Sequence, residues 1–140
     1  MTGTCLCGAI TYEITGEPLN QTVCHCDGCR RASGAPAVAW LTVPRDAFRL
    51  IGSLKYVSAH NQPKDSCDGC CNGKRGFCPS CGSHITFEDD GRAGELDVTV
   101  GTLDDPGSFK PAQDVFAEHR LPWVQAFAQP IDGPACQPAN

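Results

Sequence analysis

Cys78-Pro79-Ser80-Cys81-Gly82 reads as half of a metal site, and its complement is Cys5-Leu6-Cys7-Gly8 at the start of the chain. In a Cys-x-x-Cys knuckle both sulfurs curl toward one point, and Gly82 suits the tight turn after Cys81. In an extended strand residues two apart share a face, so Cys5 and Cys7 can also share an ion. Each half supplies two thiolates and zinc takes four, so the halves join into one closed, structural site. Such a site would clip the first strand to a hairpin in the middle of the chain. The fold expected around it is all-β, because these clips serve small sheets and knuckles.

Two further clusters lie at Cys24-His25-Cys26-Asp27-Gly28-Cys29 and Cys67-Asp68-Gly69-Cys70-Cys71. Cys24, Cys26 and Cys29 supply three sulfurs from one short segment. Three protein ligands leave a fourth position for water or substrate, the pattern of a catalytic zinc. A fourth ligand from the following loop, or a histidine, would instead close the site; the spacing fits both arrangements. Cys67, Cys70 and Cys71 can supply that ligand, hold a third zinc, or remain thiols on a loop. Cys136 reads as a free thiol. His25 sits between two ligands on an extended segment, so its ring should point away from the metal into packing. His60, His84 and His119 lack ligand spacing and read as structural or exposed. Trp40 and Trp123 read as core residues that can also wall a pocket.

At 140 residues the chain has room for one core. Its 15 glycines and 11 prolines force frequent turns and short elements. A net charge of −5, made more acidic by any metal-bound thiolates, excludes a long phosphate backbone as partner. The basic pairs Arg30-Arg31 and Lys74-Arg75 each sit beside a cysteine cluster, which suits a local anionic ligand. The opening residues lack a basic start followed by an apolar stretch, and no apolar run approaches membrane length. A cytoplasmic protein with reduced thiols and no membrane partner is expected. An odd cysteine count and the Cys-x-Cys and Cys-x-x-Cys spacings argue against a disulfide scaffold.

Hydrophobic alternation places a strand at Gly8–Ile14, with Ile10, Tyr12 and Ile14 on its buried face. Leu19–Cys24 returns toward the second cluster, and Arg30–Gly34 forms one helical turn ending at glycine. Pro36–Val43 is a buried strand stopped by Pro44. Phe48–Ile51 and Leu54–Val57 flank Gly52-Ser53 as a hairpin. Residues 58–75 form a long loop. Strands follow around Ile85 and Phe87, through Leu96, Val98 and Val100, and at Val115–His119. A turn falls at Asp104-Asp105-Pro106-Gly107, Leu121-Pro122-Trp123 closes the core, and the chain from Gln129 is a loose tail. The division is a domain over 1–125 and a Pro-rich tail over 126–140.

In order, Cys5-Leu6-Cys7-Gly8, then Cys24-His25-Cys26 with Cys29-Arg30-Arg31 and Gly34, then Arg75-Gly76-Phe77-Cys78 with Cys81-Gly82, then Leu121-Pro122-Trp123 resemble the glutathione-dependent formaldehyde-activating enzyme family, which includes the centromere protein V group. The resemblance runs from about Thr4 to Trp123. It implies a β-tent fold of small antiparallel sheets pinned by a structural zinc on Cys5, Cys7, Cys78 and Cys81. It implies a second, catalytic zinc on Cys24, Cys26 and Cys29. The implied activity is that of a carbon–sulfur lyase joining glutathione, or another thiol, to an aldehyde, as in S-(hydroxymethyl)glutathione formation. Arg30, Arg31 or Arg75 would then meet the carboxylates of glutathione. The connection from Ser58 to Arg75, with its three cysteines, is longer than the family pattern. A non-catalytic zinc module that binds a protein partner is the competing reading.

Overall fold

The computed structural model describes residues 1–58 and 72–130. Among these the chain is all-β with one helix. The strands are β1 (Thr2–Thr4), β2 (Thr11–Ile14), β3 (Asn20–Cys24), β4 (Val38–Pro44), β5 (Phe48–Ile51), β6 (Lys55–Ser58), β7 (Gly73–Phe77), β8 (His84–Asp89), β9 (Glu95–Thr99), β10 (Gln113–Val115) and β11 (Gln129–Pro130). The helix α1 (Asp27–Ser33) lies between β3 and β4. They form a three-stranded sheet, β1-β2-β5, and an eight-stranded sheet, β11-β10-β3-β4-β9-β8-β7-β6. The small sheet is antiparallel, and so is the large one from β3 to β6. Its other end is mixed, because β10 runs parallel to both β3 and β11.

The core follows from alternation. Ile10, Tyr12 and Ile14 turn one face of the small sheet onto Leu41, Val43, Leu96 and Val98 of the large one. On the reverse side of β4, Val38 and Trp40 join Cys24, Cys26, Cys29, Val115 and Phe116 in a second cluster. β4 is therefore covered on both faces, which is why its sequence is an apolar run rather than an alternating one. A register shift between β7 and β8 at Gly76/Phe77 leaves Ile85 as the extra residue. Ile85 turns into the main core, while His84 and Phe87 both pack against Trp40. The bulge thus re-aims two aromatic side chains toward the second cysteine cluster.

Several expectations need correction. Gly52-Ser53 does not close a hairpin: with Gly52 at φ +102°, the chain leaves the small sheet and β6 joins the far edge of the large one, against β7. The Val115–His119 strand ends at Val115, because Phe116 takes a left-handed conformation (φ 53°) and starts a 3-10 turn over Ala117–His119. Phe116 can hold that strained conformation because its side chain is buried in the second cluster. Trp123 is 70% exposed and does not close the core. The segment from Gln129 begins as β11, hydrogen-bonded to β10, before leaving the described residues.

Candidate metal centres

The first centre gathers Cys5, Cys7, Cys78 and Cys81, whose sulfurs all lie within 4.8 Å of one another. Four ligands at zinc–sulfur bond length, about 2.3 Å, sit about 3.8 Å apart around a tetrahedral ion. The observed Cys5–Cys7 and Cys7–Cys78 sulfur separations are 3.6 and 3.7 Å. The donor set and its spacing therefore fit a divalent metal with no position to spare. Cys5 and Cys7 do not share a strand face, as the sequence reading assumed; they occupy a turn that Gly8 completes at φ +80°. The Gly8 N–H donates to Cys5 O at 3.2 Å and the Gly82 N–H to Cys78 O at 2.9 Å, so a glycine N–H closes each knuckle onto its first cysteine, across three residues in one and four in the other. Ser83 joins them: its Oγ accepts the Leu6 N–H at 3.0 Å and lies 3.1 Å from Cys81 Sγ. Hydrogen bonding to Ser83 pulls the Cys81 thiol down to about 5, toward the thiolate that a metal requires.

The second centre is built at the end of β3. Cys24 closes that strand, Cys26 caps α1 and Cys29 lies in its first turn. The cap is a sulfur: Cys26 Sγ accepts the Cys29 N–H at 3.3 Å. That is why α1 begins three residues before the expected Arg30, and Gly34 ends it at φ +70° as expected. All three sulfurs lie within 4.8 Å of one another and all three residues are buried. Three thiolates packed this closely cannot ionise together without cations. Hydrogen bonds from Cys24 and Cys26, with the Arg75 guanidinium beside it, hold the Cys29 thiol well below the usual thiol range. Hydrogen bonding within the cluster and burial push Cys24 well above it. Arg75 supplies one positive charge, and a bound divalent cation would supply the rest. The residues fit a metal.

The three arginines singled out from sequence separate. Arg75 is buried, with Nη1 and Nη2 both 3.8 Å from Cys29 Sγ and its guanidinium 4.9 Å from the Phe87 ring centroid. Its charge is directed at the sulfur cluster rather than at solvent. Arg30 reaches back to Asp27 at 2.9 Å, and Arg31 is exposed. His25 turns its ring away from the sulfurs onto Asp114, with Nε2 2.6 Å from Oδ1. Sequence reasoning did not find Asp114, which carries no motif. The readings of His60, Cys67, Cys70, Cys71 and Cys136, including a third zinc or a cap on the second centre, lie outside the described residues. None of the seven described cysteines forms a disulfide.

Two clefts open on the described residues, and the first of them reaches Cys81 of the four-cysteine centre. One, of about 500 Å³, is lined by Cys81 and Ser83 of the second knuckle, Ser33 of α1, Val38, His84 and Thr102 among others. The second, of about 520 Å³, is apolar and lined by Val23, Phe109, Pro111, Trp123, Val124 and Phe127.

His84 yields a pH prediction. Its Nε2 donates to Thr86 O at 3.1 Å, and its ring stacks on Phe77 with centroids 4.6 Å apart. Burial, with Arg75 nearby, pushes it down to about 4 from 6.5. As pH falls below 6.5 the unfolded chain takes up this proton before the folded chain does. The stability carried by the neutral ring is complete above pH 6.5 and is lost as pH falls toward 4, about 3 kcal/mol in all. Urea unfolding at a series of pH values should show this acid slope reduced in His84→Gln; equal slopes in the two proteins refute it.

The fold and sites define a small all-β protein with, among the described residues, two sulfur clusters, one of four cysteines and one of three. The chain matches the model of the glutathione-dependent formaldehyde-activating enzyme family over residues 1–119, and it belongs to that family. Among solved structures it is similar to a Rhodobacter sphaeroides protein at 25% identity and a TM-score of 0.55, covering 74% of this chain and 88% of that one. No curated protein matches the chain. Among the described residues no helix is long and apolar enough to cross a membrane.

Proposed function

We propose that this protein is a zinc-dependent enzyme of the carbon–sulfur lyase type, joining glutathione to formaldehyde or reversing that step. The observation that carries this reading is the buried three-sulfur cluster of Cys24, Cys26 and Cys29, with a buried arginine against one sulfur. Family membership supplies the substrate class at family level. In the forward step the thiol sulfur bonds to the aldehyde carbon, the C=O π bond opens, and the thiol proton ends on the new hydroxyl. A zinc ion bound at this cluster would supply the charge that keeps a substrate thiol ionised. Cys24, Cys26 and Cys29 hold that charge in place, and Arg75 offsets the excess negative charge of the sulfurs. Arg31, exposed on α1, and Arg30 beside it are the cations assigned to the substrate carboxylates. The 500 Å³ cleft against the C-terminal end of α1 has the volume for a tripeptide thiol; its lining includes Val38, the strand partner of Cys24, but none of the three sulfurs. The reduced thiols suit the cytoplasm.

The competing reading is a non-catalytic zinc module for a protein partner, and the exposed apolar cleft with Trp123 and Phe127 favours it. Glutathione titration separates the two. With the protein loaded with cobalt(II), glutathione should give binding heat and an increase in the sulfur-to-cobalt absorption band. If there is no heat and the spectrum is unchanged, the enzyme reading is wrong.

A further inference from the structure

The strongest unassigned arrangement in the molecule is a fully buried carboxylate three segments share. Asp114 lies on β10, which runs parallel to β3 so that Asp114 stands opposite Val23 and Val115 opposite Cys24. Asp114 and His25 are both completely buried. Oδ1 of Asp114 is 2.6 Å from His25 Nε2, and Oδ2 accepts the Ala128 N–H at 2.5 Å. The His25 N–H donates in turn to Val115 O at 3.1 Å. A carboxylate removed from water is tolerated only where donors meet its oxygens, and here each oxygen has its own donor. One is the residue between Cys24 and Cys26; the other belongs to the segment that carries Phe127, whose ring centroid lies 6.3 Å from that of His25.

His25 is held at two points, with its ring Nδ1 buried and without a hydrogen-bond partner among the described residues. Its ring is fixed on Asp114 and its backbone on Val115, so the peptide joining Cys24 to Cys26 is held at both levels. The separation of those two sulfurs follows from this peptide, and a metal binds most tightly where its ligands are already placed.

We propose that Asp114 is a positioning residue for the second centre: acting through His25, it sets the Cys24–Cys26 geometry and hence the affinity for metal, without touching the ion. This rests on the reading that Cys24, Cys26 and Cys29 hold a metal.

The test uses the full chain and chelator competition with zinc, with Cys24→Ser marking which bound metal belongs to the second centre. Asp114→Asn cannot accept from both donors, and it should keep the first metal while holding the second 10–100-fold more weakly. His25→Ala should lose as much, and His25→Gln, which keeps an N–H donor, should recover most of it. The double variant Asp114→Asn/His25→Ala should be no weaker than either single one. Wild-type affinity at the second centre in Asp114→Asn overturns the proposal, and so does full additivity in the double variant. If Asp114→Asn fails to fold, the His25 pair decides: equal affinities in His25→Ala and His25→Gln overturn it. Failure of the underlying reading looks different, because the wild-type protein would then hold no metal sensitive to Cys24→Ser.

Discussion

Cys78→Ser should leave the protein unable to hold its fold at ordinary temperature. Cys78 and Cys5 are members of the main core as well as of the candidate four-sulfur metal site, 2% and 3% exposed. The four sulfurs join a turn of the small sheet to the knuckle between β7 and β8 of the large one. A structural metal in peptides of this kind contributes about 10–16 kcal/mol of apparent binding energy. Whole domains of this size are stable by only about 5–15 kcal/mol. Serine is a poor ligand for such an ion, and half of that binding energy, about 5–8 kcal/mol, runs from a third of the total to more than all of it. Unfolding followed by circular dichroism, beside metal content, is the measurement. The variant should be unfolded or melt more than about 20 °C lower, a shift that corresponds to several kcal/mol for a domain of this length. A folded variant with an unchanged melting temperature would show that the two sheets stand without the centre.

The pairing of Cys5 and Cys7 with Cys78 and Cys81 was legible because ligand count is a local property: two halves of two make four. Strand patterning was legible for the same reason, as Ile10, Tyr12 and Ile14 reveal their face without any knowledge of a partner. What was not legible depends on contacts between distant parts of the chain. Gly52-Ser53 turns the chain whether or not β5 and β6 pair, and their actual partners are β2 and β7. Local preference did not foresee that a cysteine sulfur would cap α1, since cysteine is not among the usual capping residues. The left-handed Phe116 is held by burial that only the second cluster provides. At the site, Lys74 and Arg75 read together as a basic pair for an anionic ligand, which gave Arg75 no role toward the sulfurs. β-strand alternation separates them: Lys74 lies outside against Glu88 at 3.2 Å, and Arg75 points inward. That signal was present in the sequence, in the period of two, before the strand was placed. Asp114 gave no such signal, as it meets His25 across 89 residues of chain.

Arg75→Leu should therefore affect the second centre rather than the protein's surface. Arg75 is 4% exposed, its guanidinium contacts Cys29 Sγ with two nitrogens at 3.8 Å, and it packs over Phe87. Leucine keeps much of that packing and removes the charge. Three thiolates around a divalent ion carry one net negative charge in a buried place, and Arg75 neutralises it. Breaking a buried charge pair by removing one partner costs about 3–5 kcal/mol. Discounted for the cation that remains, a loss of about 3 kcal/mol is expected, or ~100-fold in second-centre metal affinity. The Cys29 thiol, held low partly by Arg75, should rise, so the pH at which metal is released should move upward. Metal release against pH is the readout. The first centre is the internal control, since Arg75 is not among the main groups that shift Cys5, Cys7 or Cys81. An unchanged release curve for the second metal would mean that the sulfur cluster balances its own charge, and Arg75 would then be a packing residue that happens to be cationic.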